Sequence, residues 1–454
     1  MERITVNLAP ADLRKEGSAF DLAIAIGILL TSGQIKGAEL EQSLILGELA
    51  LDGSLRPVPG VLSMVAQAKS RGIAKVIVPK ENEGEASLVE GMAVCGLQHL
   101  KQLAAGMEQE IIFNDSKYSR PLVYSPAGSH NEEDYSDVRG QHHVKRALTI
   151  AAAGMHNILL IGPPGTGKTM LIKRLPSILS PLSEKEALEV TRIYSAAGKL
   201  SQIKAQLIQS RPFRSPHHTT SAAGLVGGGS IPKPGEASLA HRGVLFLDEL
   251  PEFSRNVLEV LRQPLEDRQV TISRARAVYT FPSHFIFAAS MNPCPCGYRG
   301  SETVIRRCTC SLAKILQYRS KISGPLLDRM DLHVEVPRME YDELKTREKQ
   351  LSSAEMYASV EAAHTIQTER YKYSAVEFNG ELTGRMLRTF CEMAPDAEEL
   401  LLQTFDALGL SVRAHDRILK IARTIADLEG GGTISTQHIA EAVQYRSFDH
   451  KIDL

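Results

Sequence analysis

Tryptophan is absent from the 454-residue sequence, and aromatic residues make up only 5% of it. A net charge is almost absent as well, because 52 Lys and Arg residues face 53 Asp and Glu residues and leave a formal charge of −1. A chain this close to neutral has no bulk basic field that would attract nucleic acid or an anionic membrane. Contact with a charged polymer must therefore come from local clusters of Lys and Arg or from the assembly of several copies.

Long hydrophobic runs are also missing. The longest apolar run, residues 22–30, is far shorter than the roughly 20 residues that a membrane-spanning helix requires. The N-terminus shows no basic stretch followed by an apolar one, as a secretory leader would. We therefore expect a cytoplasmic protein with no membrane partner. A hydrophobic content of 43% with 23% charged residues is ordinary for a globular protein, and the length leaves room for several domains.

Cysteine is scarce and unevenly placed. Cys95 and Cys391 stand alone in apolar surroundings, which is typical of buried small hydrophobic residues. The other four form two C-x-C pairs separated by eleven residues: Cys294, Cys296, Cys308 and Cys310. Four thiolates can close a tetrahedral structural Zn²⁺ site, and disulfides are disfavoured in the cytoplasm. The spacing departs from the common C-x₂₋₄-C pairs, so zinc ligation and free thiols remain two alternatives.

The pattern that is present in full is a phosphate-binding loop, G-x-x-x-x-G-K-[ST]. Its residues are Gly162, Pro163, Pro164, Gly165, Thr166, Gly167, Lys168 and Thr169. In this pattern the glycines let backbone N–H groups close on phosphate oxygens, Lys168 neutralises the β/γ charge and the Thr169 hydroxyl binds Mg²⁺. The apolar run 156–161 before it reads as a strand and residues 169–175 read as a helix, which is the context that the motif requires. We expect ATP and Mg²⁺ as cofactors.

A second acidic motif follows further along the chain. The apolar run 244–247 ends in Asp248 and Glu249. Many buried strands end in an acid, so Asp248 alone would be weak evidence. Together with the phosphate loop, the pair predicts that Asp248 holds the Mg²⁺ shell and that Glu249 polarises the attacking water.

The chain divides into segments with different patterns. Residues 1–113 mix strands predicted at 4–8, 44–47 and 75–78 with helices near 20–31 and 60–71. A polar stretch, 114–137, suits a linker. Residues 138–337 alternate strands and helices, as in a parallel sheet covered by helices. Residues 338–454 are almost wholly helical in pattern.

Several motifs come in one order along the sequence. They are Gly140-Gln141 before an Ala-rich helix, the phosphate loop, and residues 213–218, 224–229, 247–250, 289–293 and 324–329. The set resembles AAA+ ATPases of the magnesium-chelatase clade, including the ComM/YifB magnesium chelatase-like proteins, over essentially the whole chain. The resemblance implies an α/β P-loop AAA+ core with a parallel sheet and a C-terminal helical lid. It also implies that residues 1–113 are a partial α+β Lon-protease-like domain.

The resemblance assigns roles to three further residues. Asn292 matches the sensor-1 residue near the γ-phosphate, although an Asn before Pro is also a common turn starter. Arg329 matches an arginine finger given to the neighbouring subunit's site, the alternative being an ion pair with Asp328 or Asp331. Arg413 matches sensor 2. Arg417 lies one turn further on the same helix face, and spacing alone cannot separate it from Arg413.

An arginine finger requires a neighbour, and the resemblance implies a homo-hexamer. Six copies of one basic loop can line a central pore, where Arg and Lys would give sequence-independent contacts with DNA. One candidate is a hairpin around Arg274 and Arg276, the other an exposed insertion, 224–234, that carries Lys233. The alternative is that these arginines are solvated charges on a hairpin. His217 and His218 belong to the family motif, and we expect a structural or subunit-contact role for them.

The N-terminal segment resembles the Lon-protease-like domain through residues 47–49, 57–61 and 77–82. Ser18 lies near the position of the protease serine, but the helix position of the base carries Leu62. A Ser–Lys dyad needs that lysine, so we expect no peptidase activity. Family members have a longer segment before a strand like 3–8, so this domain is expected to be incomplete.

Two functions remain open from the sequence. The first is a hexameric ATP-driven motor on DNA, a branch-migration or helicase factor in recombination or natural transformation, as the ComM resemblance implies. The second is a motor that remodels a protein partner, as the chelatase motor subunits do. A non-enzymatic, ATP-gated scaffold is disfavoured because all the catalytic motifs are present.

Overall fold

The fold is taken from a computed structural model of the chain. It describes residues 4–7, 18–35, 40, 42–105, 112–115, 133–200, 207–229, 232–274, 277–300, 307–338 and 349–446. No helix within these ranges is long and apolar enough to cross a membrane.

The N-terminal part is a small mixed α/β unit. Its strands are β1 (Ser43–Ile45), β2 (Glu48–Leu49), β3 (Leu55–Arg56), β4 (Lys75–Pro79), β5 (Ala93–Leu97) and β6 (Asn114–Asp115). Its helices are α1 (Asp21–Thr31), α2 (Val61–Ser70), α3 (Glu83–Ala86) and α4 (Lys101–Ala105). The main sheet has the order β1-β4-β5-β6, in which β6 alone runs antiparallel to its neighbour, and β2 and β3 pair as a separate ribbon.

Two sequence expectations fail in this part. The strand predicted at 4–8 is not found over the described residues 4–7, where Ile4 and Val6 are 56% and 50% exposed. A strand exists only when its backbone pairs with a neighbour, and these four residues have no strand partner among those described. Asn114 and Asp115, which we placed in the linker, instead pair with β5.

The central part is an α/β layer structure. Its strands are β7 (Ile158–Ile161), β8 (Phe213–Arg214), β9 (Gly227–Gly228), β10 (Lys233–Pro234), β11 (Val244–Leu247), β12 (Gln269–Arg274), β13 (Ala277–Pro282), β14 (Ile286–Met291) and β15 (Leu332–Glu335). Its helices are α5 (His142–Gly154), α6 (Lys168–Lys173), α7 (Glu184–Ala196), α8 (Ala222–Val226), α9 (Glu236–Leu239), α10 (Arg255–Glu259), α11 (Arg262–Asp267), α12 (Leu312–Arg319) and α13 (Gly324–Leu327).

Five of these strands form the core sheet, in the order β15-β7-β14-β11-β8, and all neighbours are parallel. Both faces are buried, because Ile158 and Leu160 of β7 lie in one apolar cluster and Leu159 and Ile161 in another. That burial explains why the strands read as continuous apolar runs. The predicted parallel sheet with covering helices is confirmed.

The order of the core sheet decides where functional groups can meet. β14 lies between β7 and β11. Because parallel strands share one carboxyl edge, the phosphate loop after β7, the acidic pair after β11 and Asn292 after β14 are adjacent there.

The C-terminal part is helical. Its helices are α14 (Ser353–Tyr371), α15 (Arg385–Phe390), α16 (Pro395–Leu408), α17 (Val412–Leu428) and α18 (Thr436–Gln444). α14 and α17 pack against each other and against α5 of the central part. The predicted apolar face of α17 is buried at Ile418, Leu419, Ala422 and Ile425. The helical part therefore covers one face of the core sheet, and its packing continues the apolar cluster of that face.

Both loops proposed to line a pore form hairpins. β12 and β13 pair over six residues on each strand, as predicted, while Ala275 and Arg276 at the turn lie outside the described residues. The 224–234 insertion holds the β9–β10 hairpin, where a Cβ added at Gly227 would lie 2.4 Å from the Lys233 carbonyl oxygen. Only glycine permits that approach, so the base of the hairpin is closely packed.

Candidate functional site

The phosphate loop connects the end of β7 to the start of α6. Gly165 and Gly167 have φ values of +79° and +85°, a left-handed conformation that favours glycine. A Cβ added at Gly162 would lie 2.2 Å from the carbonyl oxygen of Val336, so this glycine is required by the backbone just after β15. The loop conformation is thus fixed by the sequence pattern itself.

The Lys168 ammonium group is held inside the loop. It donates to the carbonyl oxygens of Gly162 at 2.7 Å and Pro163 at 2.9 Å, and to Asn292 Oδ1 at 3.2 Å. Burial lowers the pKa of Lys168, and the negative charges of Asp248 and Glu249 oppose this shift. The structure therefore joins the phosphate loop and the proposed sensor residue directly.

The acidic pair lies on the other side of Asn292. Thr169 Oγ1 donates to Asp248 Oδ2 at 2.8 Å, so the two proposed Mg²⁺ ligands are adjacent. Glu249 has a φ of +53°, a conformation that costs a non-glycine residue about 1–3 kcal/mol. Its N–H donates to Asp248 Oδ1 at 3.1 Å and to Ser290 Oγ at 3.4 Å. The strained turn directs the Glu249 N–H toward the Asp248 carboxylate.

Sequence reasoning missed two residues of this site. The Ser290 hydroxyl donates to Asp248, and the Tyr318 hydroxyl lies close to the backbone N–H of Asn292. Ser290 lies on β14 two positions before Asn292, which follows the strand, and the two-residue period of a strand was a signal that could have identified it. Tyr318 lies on α12, and no local pattern connects it with the site.

Arg329 lies at the opposite end of the sheet. Its carbonyl oxygen accepts from Asn157 Nδ2 at 2.8 Å, and Asn157 directly precedes β7. The four residues of β7, a length of about 13 Å, separate that position from the phosphate loop. The guanidinium donates to Pro325 at 2.7 Å and pairs with Glu266, which is neither of the two partners considered from the sequence.

Arg413 and Arg417 have different surroundings. Arg413 is 65% exposed and lies 3.7 Å from Asp328, the residue before Arg329. Arg417 pairs with Asp331 at 3.2 Å, and both side chains are 13% exposed. Arg413 is therefore the accessible member of the pair and the one that lies near the proposed finger.

The remaining predicted residues occupy three places. The four thiols of the cysteine pairs lie within 4.8 Å of one another, beside Asn292. Arg274 donates to the Gly229 carbonyl at 3.1 Å, so the two hairpins touch, and Lys233 is exposed. Arg276 lies outside the described residues.

Two further sequence motifs are accounted for by local contacts. The rings of His217 and His218 lie 4.0 Å apart, and His218 meets the edge of Phe253. In the N-terminal part, the Ser18 hydroxyl donates to Glu48, and Leu62 is fully buried.

Three family descriptions match the chain in succession. "Subunit ChlI of Mg-chelatase" matches residues 1–82, "Magnesium chelatase, subunit ChlI" matches 134–344, and "Magnesium chelatase, subunit ChlI C-terminal" matches 350–446.

Curated relatives agree with this succession. The chain is 46% identical to the uncharacterized protein YifB of Salmonella typhimurium, over 99% of this chain and 86% of that protein. It is 44% identical to the competence protein ComM of Haemophilus influenzae, over 98% of this chain and 86% of that protein. It is 21% identical to the magnesium-chelatase 38 kDa subunit of Cereibacter sphaeroides, over 70% of this chain and 91% of that subunit. The chain thus belongs to the ComM/YifB-type magnesium chelatase-like family of AAA+ proteins.

Proposed function

We propose that the chain hydrolyses ATP with Mg²⁺ and uses the energy to move DNA. The observation that carries the ATPase assignment is the meeting of Lys168, Asn292, Thr169 and Asp248 through direct hydrogen bonds at the edge of three adjacent strands. Lys168 would neutralise the β/γ-phosphates, Thr169 and Asp248 would hold Mg²⁺, and Glu249 would orient the attacking water. Asn292, bonded to Lys168, would sense the γ-phosphate.

The proposed active form is a homo-oligomeric ring, and we propose a hexamer. Arg329 and Arg413 lie at the amino ends of the core strands, while the phosphate loop lies at the carboxyl ends. Within one subunit these arginines cannot reach a γ-phosphate held at Lys168. A neighbour that presents this edge to the loop would supply the cation that stabilises the charge on the transferring phosphoryl group.

The proposed DNA contact is the joined pair of hairpins. Arg274 and Lys233 are exposed, and the bond from Arg274 to Gly229 holds the two hairpins together as one basic projection. Six such projections around a pore would offset the near-zero net charge of the single chain. The name of the relative ComM connects that protein with competence, and this supports DNA as the polymer.

A double variant tests the DNA assignment. Lys233→Ala/Arg274→Ala should retain basal ATP hydrolysis, because neither side chain touches the phosphate loop, and should lose most stimulation by DNA. The salt dependence of DNA binding should also weaken, by about one unit of log–log slope for each DNA phosphate that the variant no longer binds. The measurement is the ATPase rate with and without single-stranded, duplex and forked DNA, at two salt concentrations.

Arg388→Ala, an exposed arginine on α15, is the matched control and should respond to DNA as the wild type does. Undiminished stimulation of the double variant would exclude the hairpins as the DNA contact.

A protein-remodelling motor is the second candidate. The similarity to the 38 kDa magnesium-chelatase subunit over 70% of the chain favours it. In that case none of the DNA forms should change the wild-type ATPase rate at either salt concentration, although basal hydrolysis is retained.

A further inference from the structure

Two short segments of the chain bring the four cysteines into one cluster, made of Cys294, Cys296, Cys308 and Cys310. The Sγ atom of Cys294 lies 3.4 Å from that of Cys296 and 3.8 Å from that of Cys308, and the latter two are 3.6 Å apart. Zn–S bonds of about 2.3 Å place the sulfurs of a tetrahedral site about 3.8 Å apart. These three spacings, and the grouping of all four sulfurs within 4.8 Å of one another, fit four zinc ligands, and the three spacings are much longer than the roughly 2.05 Å of a disulfide.

The four-cysteine cluster touches the candidate ATP site on its first side. Cys294 is buried and follows Asn292 by two residues. Gly297 has a φ of +84°, and a Cβ added there would lie 2.6 Å from Pro164 Cδ and 3.8 Å from Asn292 Cγ. Gly297, just after the first cysteine pair, therefore packs against both the phosphate loop and the sensor residue.

The second side of the cluster is anchored to the same place. α12 begins two residues after Cys310, and its Tyr318 hydroxyl lies close to the backbone N–H of Asn292. The neighbouring Arg319 donates to the Pro293 carbonyl oxygen at 3.3 Å. Burial raises the pKa of Tyr318 to about 12, and the nearby Asn292 N–H opposes this shift. The segment before Cys294 contains Asn292 and Pro293, and the helix after Cys310 contacts the same two residues.

We propose that the four-cysteine cluster binds one Zn²⁺ and that this zinc site positions Asn292 for ATP hydrolysis. The four thiols release their protons on binding, and the metal joins the segment after Asn292 to the segment that enters α12. Without this link, the amide that bonds Lys168 would no longer be fixed from both sides. The coupling rests on the proposed hydrolysis at Lys168 and Glu249, whereas zinc binding does not.

The test measures zinc content, ATP affinity and kcat separately. Wild-type protein and the control Cys95→Ala/Cys391→Ala, in which both changed cysteines lie outside the cluster, should contain about one zinc per chain. Cys296→Ser/Cys308→Ser should contain none. Its affinity for a fluorescent ATP analogue should change by less than about threefold, while kcat should fall by about 10- to 100-fold because Asn292 is misplaced.

Tyr318→Phe keeps the cluster intact and removes only the hydroxyl beside the Asn292 backbone. We expect full zinc content, unchanged nucleotide affinity and a lower kcat, a combination that loss of folding cannot produce. This variant decides the question of coupling if the serine variant does not fold.

Three outcomes are decisive against the proposal or one of its parts. Less than about a tenth of an equivalent of zinc in freshly purified, reduced wild-type protein would overturn the metal site. Wild-type kcat in the zinc-free serine variant, or in Tyr318→Phe, would overturn the coupling. Wild-type protein with a full equivalent of zinc and no ATP hydrolysis would overturn the proposed function and leave the zinc site standing.

Discussion

At the scale of single residues, the carboxylate of Asp248 is oriented from three directions. Thr169 donates to one of its oxygens, and the Ser290 hydroxyl and the Glu249 N–H donate to the other. A carboxylate held in this way presents its remaining lone pairs in a fixed direction, which is what a small cation with strict octahedral geometry requires. Ser290 is therefore a positioning residue for the proposed Mg²⁺ site.

Ser290→Ala should weaken the response to Mg²⁺ and leave the fold intact. The substitution removes one oxygen from a buried position and frees one side of Asp248. The Mg²⁺ concentration for half-maximal ATPase activity should rise by about 10- to 100-fold, as for other residues that orient metal ligands. A magnesium titration at saturating ATP measures it, and excess Mg²⁺ should restore the rate.

Ser283→Ala is the matched control for this change. Ser283 is another buried serine, just before β14 at the opposite edge of the sheet. Its variant should titrate as the wild type does. An unaltered magnesium requirement for Ser290→Ala, or a reduced rate that excess Mg²⁺ cannot restore, would contradict the assignment.

The contrast between Thr169 and Ser290 shows how far sequence can lead at this scale. Thr169 belongs to a contiguous motif, whose spacing fixes its place beside Lys168 whatever the rest of the chain does. Ser290 acquires its contact only because β14 is inserted between β7 and β11. That arrangement depends on long-range strand pairing, which a local pattern does not contain.

At the scale of elements, β15 forms the edge of the core sheet and carries a buried histidine. Tyr445, just after α18, accepts a backbone hydrogen bond from His333 at 2.9 Å. Burial, and then the charges of Arg446 and Arg417, lower the pKa of His333 to about 3. The strand thus joins the sheet to the C-terminal helices through a backbone hydrogen bond, and the buried side chain at this junction resists protonation.

His333 should make the protein less stable in mild acid. Because its pKa is lower in the folded state, the unfolded chain binds the proton first as the pH falls below about 6.5. Its contribution to stability is complete above that pH and is lost progressively toward pH 3. A single such group gives a slope of about 1.4 kcal/mol per pH unit in the free energy of unfolding.

Urea denaturation of wild type and His333→Asn at several pH values between 6.5 and 4.5 measures this slope. In the variant, the slope of the free energy of unfolding against pH should be smaller by about 1.4 kcal/mol per pH unit, the contribution of one proton. His142→Asn, an exposed histidine at the start of α5, serves as the control and should retain the wild-type slope. Equal slopes for wild type and His333→Asn would show that His333 is already protonated in the folded protein.

Helices and hairpins were predictable from the sequence where local periodicity and turn residues determine them. The helices expected near 20–31 and 60–71 are α1 and α2, and the β12–β13 hairpin follows from two alternating runs around a short turn. The strand expected at 4–8 had an equally good pattern, but residues 4–7 have no strand to pair with in the described structure. Periodicity predicts the ability to form a strand, and a partner decides whether it forms.

At the scale of the whole molecule, a buried carboxylate connects the N-terminal part to the core. Glu85 Oε1 accepts from the Leu62 N–H at 2.8 Å and from the hydroxyl of Ser195 on α7. The Ser195 carbonyl oxygen in turn accepts from the Gly60 N–H at 3.1 Å. Leu62, which the resemblance to the protease places at the position of the base, thus lies in a contact between parts of the chain that the sequence analysis separated by a linker.

The proposed composite site makes a strong prediction for mixtures of inactive chains. Lys168→Ala should lack phosphate binding, and Arg329→Ala should lack the finger, so each alone should lose nearly all ATPase activity. In a one-to-one mixed ring, an intact loop faces an intact finger at about a quarter of the sites. Steady-state hydrolysis of the mixture should recover to about that fraction of the wild-type rate. No recovery after verified mixing of the chains would mean that Arg329 acts within its own subunit.

The same mixing experiment separates Arg413 from Arg417. Arg413 is exposed beside Asp328, at the edge that would face a neighbour, so Arg413→Ala should also regain activity when mixed with Lys168→Ala. Arg417 is enclosed with Asp331, a carboxyl whose pKa is lowered, despite its burial, by His156 and then by Arg417. Arg417→Ala leaves that buried charge less compensated and should lower thermal stability instead. If Arg417→Ala regained activity when mixed with Lys168→Ala and Arg413→Ala did not, Arg417 would be sensor 2.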